Sequence, residues 1–192
     1  MGKIYCVMGK SASGKDSLYR AILQARPSLR TYVMYTTRPR REHEEDGTAY
    51  HFTDPERIGA YAAEGRLIES RTYDTVFGPW TYATVDDGQI DLTCGDYLMP
   101  GTLESYLHLK RYFGEEALIP IYIEVEDGER LIRAVRREME EPQPHYAEVC
   151  RRFLADAEDF SEEKLLEAGI TRRYINNDFD RCLQEILADI KL

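Results

Sequence analysis

The feature that most constrains the fold is a glycine-rich loop close to the start of the chain. Residues 9–15 read Gly-Lys-Ser-Ala-Ser-Gly-Lys and fit the pattern G-x-x-x-x-G-K. The apolar residues 3–8 before the loop are typical of a buried strand, and residues 15–25 after it have the periodicity of a helix. The backbone N–H groups of such a loop converge on one point, where the helix N-terminus adds its positive end. The pattern therefore predicts an α/β fold with a site for the phosphates of a nucleotide.

The residue after the loop lysine departs from the common pattern. A Ser or Thr normally stands there and binds Mg²⁺, but this chain has Asp16. A carboxylate also binds Mg²⁺, directly or through water, so we expect Asp16 to be a metal ligand and ATP and Mg²⁺ to be the cofactors. The predicted ATP-binding residues of this segment, of which Lys15 is also a catalytic candidate, are Gly9, Lys10, Ser11, Ala12, Ser13, Gly14, Lys15, Asp16 and Ser17. The alternative is a glycine-rich turn that binds no nucleotide.

Segments with the character of strands and helices alternate over most of the chain. The strongest strand candidate is the apolar run 118–125, and the clearest helix is 179–190, with apolar residues at i, i+3 and i+4. This alternation predicts a single-domain α/β fold with a mostly parallel sheet, of the P-loop NTPase type with three α/β/α layers. In the middle of the chain, the Asp-Asp-Gly turn at 86–88 predicts a hairpin that pairs residues 80–85 with residues 89–92.

The charge and composition exclude several classes of protein. The net charge is −10, and an acidic chain is a poor general binder of nucleic acid because phosphate contacts dominate that affinity. No apolar run approaches the ~20 residues that span a bilayer, and the N-terminus has no signal-peptide pattern. Four cysteines without C-x-x-C spacing indicate reduced thiols rather than zinc ligands or disulfides. We therefore expect a cytoplasmic monomer or homodimer whose partners are small-molecule nucleotides, not nucleic acid or membrane.

The arginines nevertheless occur in clusters, at 38–41, 130–137, 151–152 and 172–173. The guanidinium group suits bidentate contacts with phosphate oxygens. Such clusters on an acidic background indicate a small phosphorylated ligand. For any one cluster, a solvated helix face paired with glutamates is an equally good interpretation.

A second pattern is longer and more specific than the loop. Residues 36–52 read TTRPRREHEEDGTAYHF, which fits T-T-R-x-x-R-x-x-E-x-x-G-x-x-Y-x-F at every fixed position. Together with the loop upstream, this segment resembles the guanylate kinase family. The resemblance implies an enzyme of purine nucleotide metabolism that phosphorylates a nucleoside monophosphate, GMP + ATP to GDP + ADP. The acceptor-binding residues that it implies are Arg38, Arg41, Glu44, Tyr50 and Glu69. Of these, Glu69 would face guanine, although by itself it is equally well explained as an ordinary surface residue.

The resemblance extends into the C-terminal half of the chain. Arg133 and Arg137 lie four residues apart on one predicted helix face, before the proline-containing break at 141–144, and Arg152 lies on the next helix. The resemblance implies that Arg133 binds ATP and that Arg137 and Arg152 are catalytic, because they neutralise charge during transfer. It also implies three regions, which are a core (1–35, 93–130 and 155–192), a small β-rich NMP-binding insertion (about 36–92) and a helical lid (about 131–154).

The chain also departs from the family pattern around the acceptor. The serine expected two residues before T-T-R is Met34. The Y-G-[ST] step is Phe77-Gly78-Pro79, and no aspartate stands at 97–101. These changes remove hydroxyl and N–H donors and leave two alternatives to GMP phosphorylation. One is a kinase for another small phosphorylated acceptor, such as another nucleotide or a ribose phosphate. The other is a non-catalytic binding module, against which the retained loop lysine argues.

Overall fold

The computed structural model describes residues 2–75 and 78–191, which form two sheets and the helices that pack on them. The strands are β1 (Ile4–Gly9), β2 (Tyr35–Thr36), β3 (His51–Phe52), β4 (Leu67–Thr75), β5 (Gly78–Val85), β6 (Tyr97–Pro100), β7 (Leu118–Glu124) and β8 (Tyr174–Ile175). The helices are α1 (Lys15–Ala25), α2 (Pro55–Ala63), α3 (Leu103–Phe113), α4 (Asp127–Met139), α5 (Tyr146–Asp159), α6 (Glu162–Glu167) and α7 (Phe179–Asp189), with a short 3₁₀ helix at Glu115–Ala117.

The larger sheet is parallel and has the strand order β6-β1-β7-β8. Strand β1 lies inside this sheet, and its alternate residues face opposite sides. Ile4, Cys6 and Met8 pack in one buried cluster with residues of α3. Tyr5 and Val7 pack in a second cluster with residues of α1 and α7. Helices therefore cover both faces, and the predicted three-layer α/β fold is confirmed.

The smaller sheet contains the acceptor pattern and has the strand order β3-β2-β5-β4. Its longest pairing is antiparallel, between β4 and β5. Helix α2 packs on it through a small core formed by Ile58, Tyr61, Ala83 and Val85. The predicted hairpin is therefore wrong, because β5 pairs with the strand before it and not with residues 89–92.

Side chains explain why the segment after β5 forms no strand. The Gln89 side chain accepts from Val33 N at 3.0 Å and donates to Val33 O at 3.2 Å, as a neighbouring strand would. The Tyr97 hydroxyl accepts from Asp91 N and donates to Gln89 O. These side chains satisfy backbone groups that a sheet would otherwise satisfy. The chain can therefore cross this region without regular structure.

Helices α4 and α5 pack on each other and are joined by residues 140–145, which include the proline-containing break. In the part of the chain that the structure describes, no helix is both long and apolar enough to cross a membrane. All four cysteines are free thiols. Cys6 and Cys182 are buried, whereas Cys94 and Cys150 are exposed.

Candidate active site

The phosphate loop joins the end of β1 to the start of α1, as the sequence pattern predicts. Gly9 has no room for a side chain, because a Cβ there would lie 2.6 Å from the Ile123 carbonyl oxygen and 2.8 Å from Ser13 Oγ. Ala12 and Gly14 have positive φ angles of 62° and 85°, so the backbone turns sharply at both positions. The loop is thus curled tightly between the sheet and the first helix.

Asn176, directly after β8, supports this loop from near the other end of the chain. Its side-chain Nδ2 donates to the Ser13 carbonyl oxygen at 2.8 Å. Gly14 is required at this contact, since a Cβ there would overlap the Asn176 amide. The Ser13 hydroxyl is buried and has no hydrogen-bond partner within the described part of the chain. A buried hydroxyl without a partner is unusual, and a bound ligand or water commonly explains it.

Lys15 and Asp16 form an ion pair at the first turn of α1. The Lys15 Nζ lies 2.5 Å from Asp16 Oδ1, and the Asp16 side chain is 82% exposed. Ser17, another predicted ATP-binding residue, is exposed on the same turn. An ion pair this exposed contributes little to stability, so little free energy opposes its replacement when a phosphate binds.

Arg38 and Glu44 form the centre of the predicted acceptor site. The Arg38 side chain is only 5% exposed, and its two terminal nitrogens donate to the two Glu44 oxygens at 2.7 and 2.5 Å. Glu44 also accepts from the Arg41 backbone N–H at 2.9 Å. Glu44 thus holds the Arg38 side chain and the Arg41 backbone in place, and its part in binding an acceptor stays a prediction.

Aromatic rings surround the Arg38 guanidinium. Its carbon lies 5.1 Å from the centre of the Tyr50 ring and 5.4 Å from that of Phe52, within range of a cation–π interaction. Tyr82 of β5 lies 5.6 Å from Tyr50. The pKa of Arg38 is raised, chiefly by its hydrogen bonds to Glu44 and to a smaller degree by the neighbouring Tyr82. The acceptor pattern thus folds into one rigid group, beside which the Arg41 side chain is exposed.

Glu69 lies on β4 and is buried, so its interpretation as an ordinary surface residue is wrong. Its Oε1 accepts from the Thr84 hydroxyl at 2.9 Å, and its Oε2 accepts from Arg71 Nε at 3.2 Å. Arg71 in turn donates from Nη1 to the Thr102 hydroxyl at 3.0 Å. Thr102 caps the N-terminus of α3, so Arg71 connects the small sheet to the end of β6 in the large sheet.

The residues that depart from the family pattern lie in different parts of the structure. Met34 is half-buried and packs against the core beneath the large sheet. Pro79 is exposed on β5, opposite Asp74, whereas Phe77 lies outside the described residues. Residues 97–100 form β6, where Leu98 is fully buried. Met34 and Leu98 thus pack in apolar surroundings.

The three arginines that the sequence assigns to a lid contact different groups near the phosphate loop. Arg137 of α4 and Arg152 of α5 line one cleft of about 480 Å³ that also reaches Ser11 of the loop. Arg133 lies elsewhere on α4, where its Nη2 donates to the Asn176 carbonyl oxygen at 3.2 Å. The structure therefore brings Arg137 and Arg152 together at the loop and places Arg133 beside the residue that supports it.

Known proteins resemble this chain over most of its length. The sequence model described as guanylate kinase matches residues 1–86, which contain both phosphate patterns. A guanylate kinase of Chlorobaculum tepidum is 30% identical over 137 residues, which cover 70% of this chain and 68% of that protein. The chain belongs to the guanylate kinase family. A guanylate kinase of Salinibacter ruber is 29% identical over 193 residues, 98% of this chain and 95% of that protein.

The structural comparison agrees with the family assignment. The crystal structure of guanylate kinase from Anaplasma phagocytophilum matches with a TM-score of 0.64, over 98% of this chain and 84% of that chain. The sequence identity is 16%, so this likeness shows a shared fold.

Beside the loop, this member of the family has a network of two cations and two carboxylates. Arg130 is almost fully buried and donates to Asp127 Oδ1 at 2.9 Å, to Asp156 Oδ2 at 3.1 Å and to the Ser11 carbonyl oxygen at 2.9 Å. Asp156 also accepts from the Ser11 backbone N–H at 2.8 Å. Lys10 lies 3.3 Å from Asp127. Helices α4 and α5 are therefore both bonded to the phosphate loop.

Sequence reasoning missed the residues that hold the site from a distance. Arg130 was visible only as one member of an arginine cluster, and Asp156 gave no local signal. Arg71 could have been found, because a residue two positions after Glu69 on a strand lies on the same face.

The Arg38–Glu44 pair makes a testable contribution to stability. The hydrogen bonds from Arg38 and from the Arg41 N–H lower the pKa of Glu44 from 4.5 to about 2. A carboxyl group whose pKa is lower in the folded state stabilises that state above its unfolded pKa, and this contribution is lost as the pH falls toward the folded pKa. We expect Glu44→Gln to lower the free energy of unfolding at pH 7, and the difference from wild type to shrink between pH 4.5 and about 2.

Urea denaturation at a series of pH values measures this difference. Glu42→Gln is the matched control, because Glu42 is exposed in the same loop and should change stability equally little at every pH. A pH-independent effect of Glu44→Gln would show that Arg38 does not depend on the charge of Glu44.

Asp156 offers a second prediction, on the link between lid and loop. In Asp156→Ala, the Ser11 N–H loses its acceptor and the buried Arg130 loses one of its two carboxylates. We expect the free energy of unfolding to fall by about 3 kcal/mol, the usual effect of removing one partner of a buried ion pair. We also expect ATP binding to weaken, as measured by calorimetry. Asp159→Ala, at an exposed site on the same helix, should change neither quantity. Unchanged ATP affinity in Asp156→Ala would contradict a role in shaping the loop.

Proposed function

We propose that this chain catalyses the ATP-dependent phosphorylation of GMP, giving GDP and ADP. The observation that carries the proposal is the buried Arg38, which is fixed by Glu44 and by two aromatic rings in the segment that matches the family pattern. Guanidinium groups at Arg38 and Arg41 and the Tyr50 phenol would together bind the acceptor phosphate. The small sheet, within residues 36–92, would be the acceptor-binding region.

The donor side of the site would be the phosphate loop. Its backbone N–H groups and the N-terminus of α1 favour an anion, and Lys15 would supply a charge for the β- and γ-phosphates of ATP. The partnerless hydroxyl of Ser13 supports a ligand at this place. Residues 131–154, which carry Arg133, Arg137 and Arg152, would form the lid.

The transfer needs no covalent protein intermediate. Phosphoryl transfer depends on placing the acceptor oxygen in line with the donor and on neutralising the charge that spreads over the transferred group. Arg137 and Arg152, which line one cleft beside Ser11, are the residues of the lid that would supply this neutralisation.

Asp16 fits a role on the metal side of the nucleotide. It offers the hard carboxylate oxygen that Mg²⁺ prefers, next to the loop lysine and open to solvent. When bound, Mg²⁺ would neutralise phosphate charge. Without the ion, the Asp16 carboxylate repels the triphosphate. We therefore expect Asp16 to make ATP binding unusually dependent on Mg²⁺.

Calorimetric titration of ATP with and without Mg²⁺ tests this expectation. Asp16→Ser should bind metal-free ATP more tightly than the wild type, about 5-fold or more, because it removes a like charge beside the phosphates. Asp180→Ala, in the first turn of α7, changes the same net charge away from the loop and should have no such effect. Equal affinities of the wild type with and without Mg²⁺ would exclude the proposed role.

A panel of phosphorylated acceptors in a coupled assay of ADP release tests the function. We expect turnover with GMP, its loss in Lys15→Ala, and a raised KM for GMP in Arg41→Ala. Turnover with a different nucleotide or a sugar phosphate, and none with GMP, would contradict GMP as the acceptor. No turnover with any acceptor would instead favour a binding module.

A further inference from the structure

Arg71 lies in the acceptor region, but the family pattern described above assigns it no role. We infer that Arg71, oriented by Glu69, donates a hydrogen bond to the 6-oxo group of the acceptor purine and so determines which base is accepted. The inference rests on the proposed function, because it names the group that distinguishes guanine at that site.

The strand register places Arg71 on the face of the small sheet that carries the acceptor site. Glu69 and Arg71 are two residues apart on β4, so their side chains share one face. Arg71 is paired with Tyr82 on β5, and Glu69 is paired with Thr84. Tyr82 contacts Tyr50 and lies beside the Arg38 guanidinium. Arg71 is therefore the cross-strand neighbour of Tyr82, which lies beside the residues proposed to bind the acceptor phosphate.

Two hydrogen bonds fix the Arg71 guanidinium and leave part of it available. Its Nε donates to Glu69 and its Nη1 to Thr102, and the side chain is 15% exposed. Arginine has five N–H donors in one plane. Its Nη2 has no hydrogen-bond acceptor among residues 2–75 and 78–191. A ligand with an acceptor atom in this plane would accept a hydrogen bond from Nη2.

The position of Arg71 relative to the phosphate loop supports a place in the cleft. Burial raises the pKa of the Cys6 thiol on β1 to about 12, while the charges of Lys15 and Arg71 oppose this rise. The charges of Lys15 and Arg71 thus both reach the buried Cys6 thiol. Arg71 also donates to Thr102, which follows β6 at the sheet edge where the neighbouring β1 leads into the phosphate loop.

The charge balance indicates which part of the acceptor Arg71 binds. The Glu69 side chain is almost fully buried, and its two oxygens each accept one hydrogen bond, from Thr84 and from Arg71, so that each keeps a second lone pair. The carboxylate cancels the charge of the guanidinium, so the pair presents a neutral edge. A phosphate dianion favours an uncompensated cation such as Arg41, whereas a neutral pair with an acceptor and donors side by side suits a base.

Guanine and adenine differ at the atoms that such a pair would meet. Guanine presents the O6 acceptor next to the N1–H donor, which matches an arginine donor next to a carboxylate acceptor. Adenine presents an amino donor at the corresponding place, so arginine and base would both offer hydrogens. The pair therefore attracts 6-oxo purines and repels 6-amino purines.

Steady-state kinetics of Arg71→Met with GMP, IMP and AMP tests the inference. GMP and IMP both have the 6-oxo group, but IMP lacks the 2-amino group. We expect kcat/KM to fall about 10- to 100-fold for both, the size of one lost hydrogen bond to a charged donor. The value for AMP should stay within about twofold, because AMP offers no acceptor there. The ratio of GMP to AMP use is the decisive quantity.

Two further variants separate a direct contact from a structural role. Arg71→Lys keeps a cation beside Glu69 and should keep the melting temperature close to that of the wild type. It loses the planar fork, so GMP use should still fall. Arg66→Ala, at a partly exposed arginine directly before β4, should leave base preference unchanged.

The outcomes are distinct from those that test the function itself. If the wild type uses GMP but Arg71→Met lowers GMP and AMP use equally, or spares IMP, the inference is overturned and the proposed function stands. If the wild type does not use GMP, the proposed function fails before Arg71 is considered. A fall in kcat/KM confined to the two 6-oxo purines, with Arg71→Lys still folded, supports the inference.

Discussion

The parallel pairing of β1 with β6 and β7 determines where the whole site can lie. Parallel strands bring their carboxyl ends to one edge of the sheet, and ligands of open α/β folds bind at that edge. The phosphate loop follows β1, Thr102 follows β6, Asp127 follows β7 and Asn176 follows β8. All four lie at this edge of the sheet, although they are far apart in the chain. The parallel register of the sheet therefore determines where the residues of the site lie.

The second constraint is the buried charge of three side chains in and around the candidate site. Arg38, Arg130 and Glu69 are each at most 5% exposed, and each has a partner of opposite charge within hydrogen-bond distance. Removing one partner would leave an uncompensated charge in a poorly solvated place, which is costly. The side chains are therefore held in fixed positions before a substrate arrives. Preorganisation of this kind is what a phosphoryl-transfer site requires, because its catalysis comes from position and charge.

The part of the site that sequence could predict is the part encoded by contiguous residues. The phosphate loop and the segment from Arg38 to Tyr50 are local patterns, and the structure gives each the expected local shape. The contacts that complete the site join distant residues, such as Ser11 with Asp156, 145 positions later. No periodicity or motif marks such a contact. The prediction of a hairpin at 86–88 was wrong for a related reason. The Gln89 side chain bonds to the backbone of Val33, a distant residue, where the turn residues suggested a second strand.

The place of β1 inside the sheet has a consequence for the synthesis of the chain. This strand is synthesised well before its neighbours, since Ile4 pairs with Tyr97 on one side and with Leu118 on the other. The amide that closes the phosphate loop, Asn176, lies 163 positions after the serine that it binds. This apolar strand therefore stays unpaired until β6 and then β7 have been synthesised, which exposes it to aggregation and to chaperones. The phosphate loop therefore reaches its final form only after Asn176 has been synthesised.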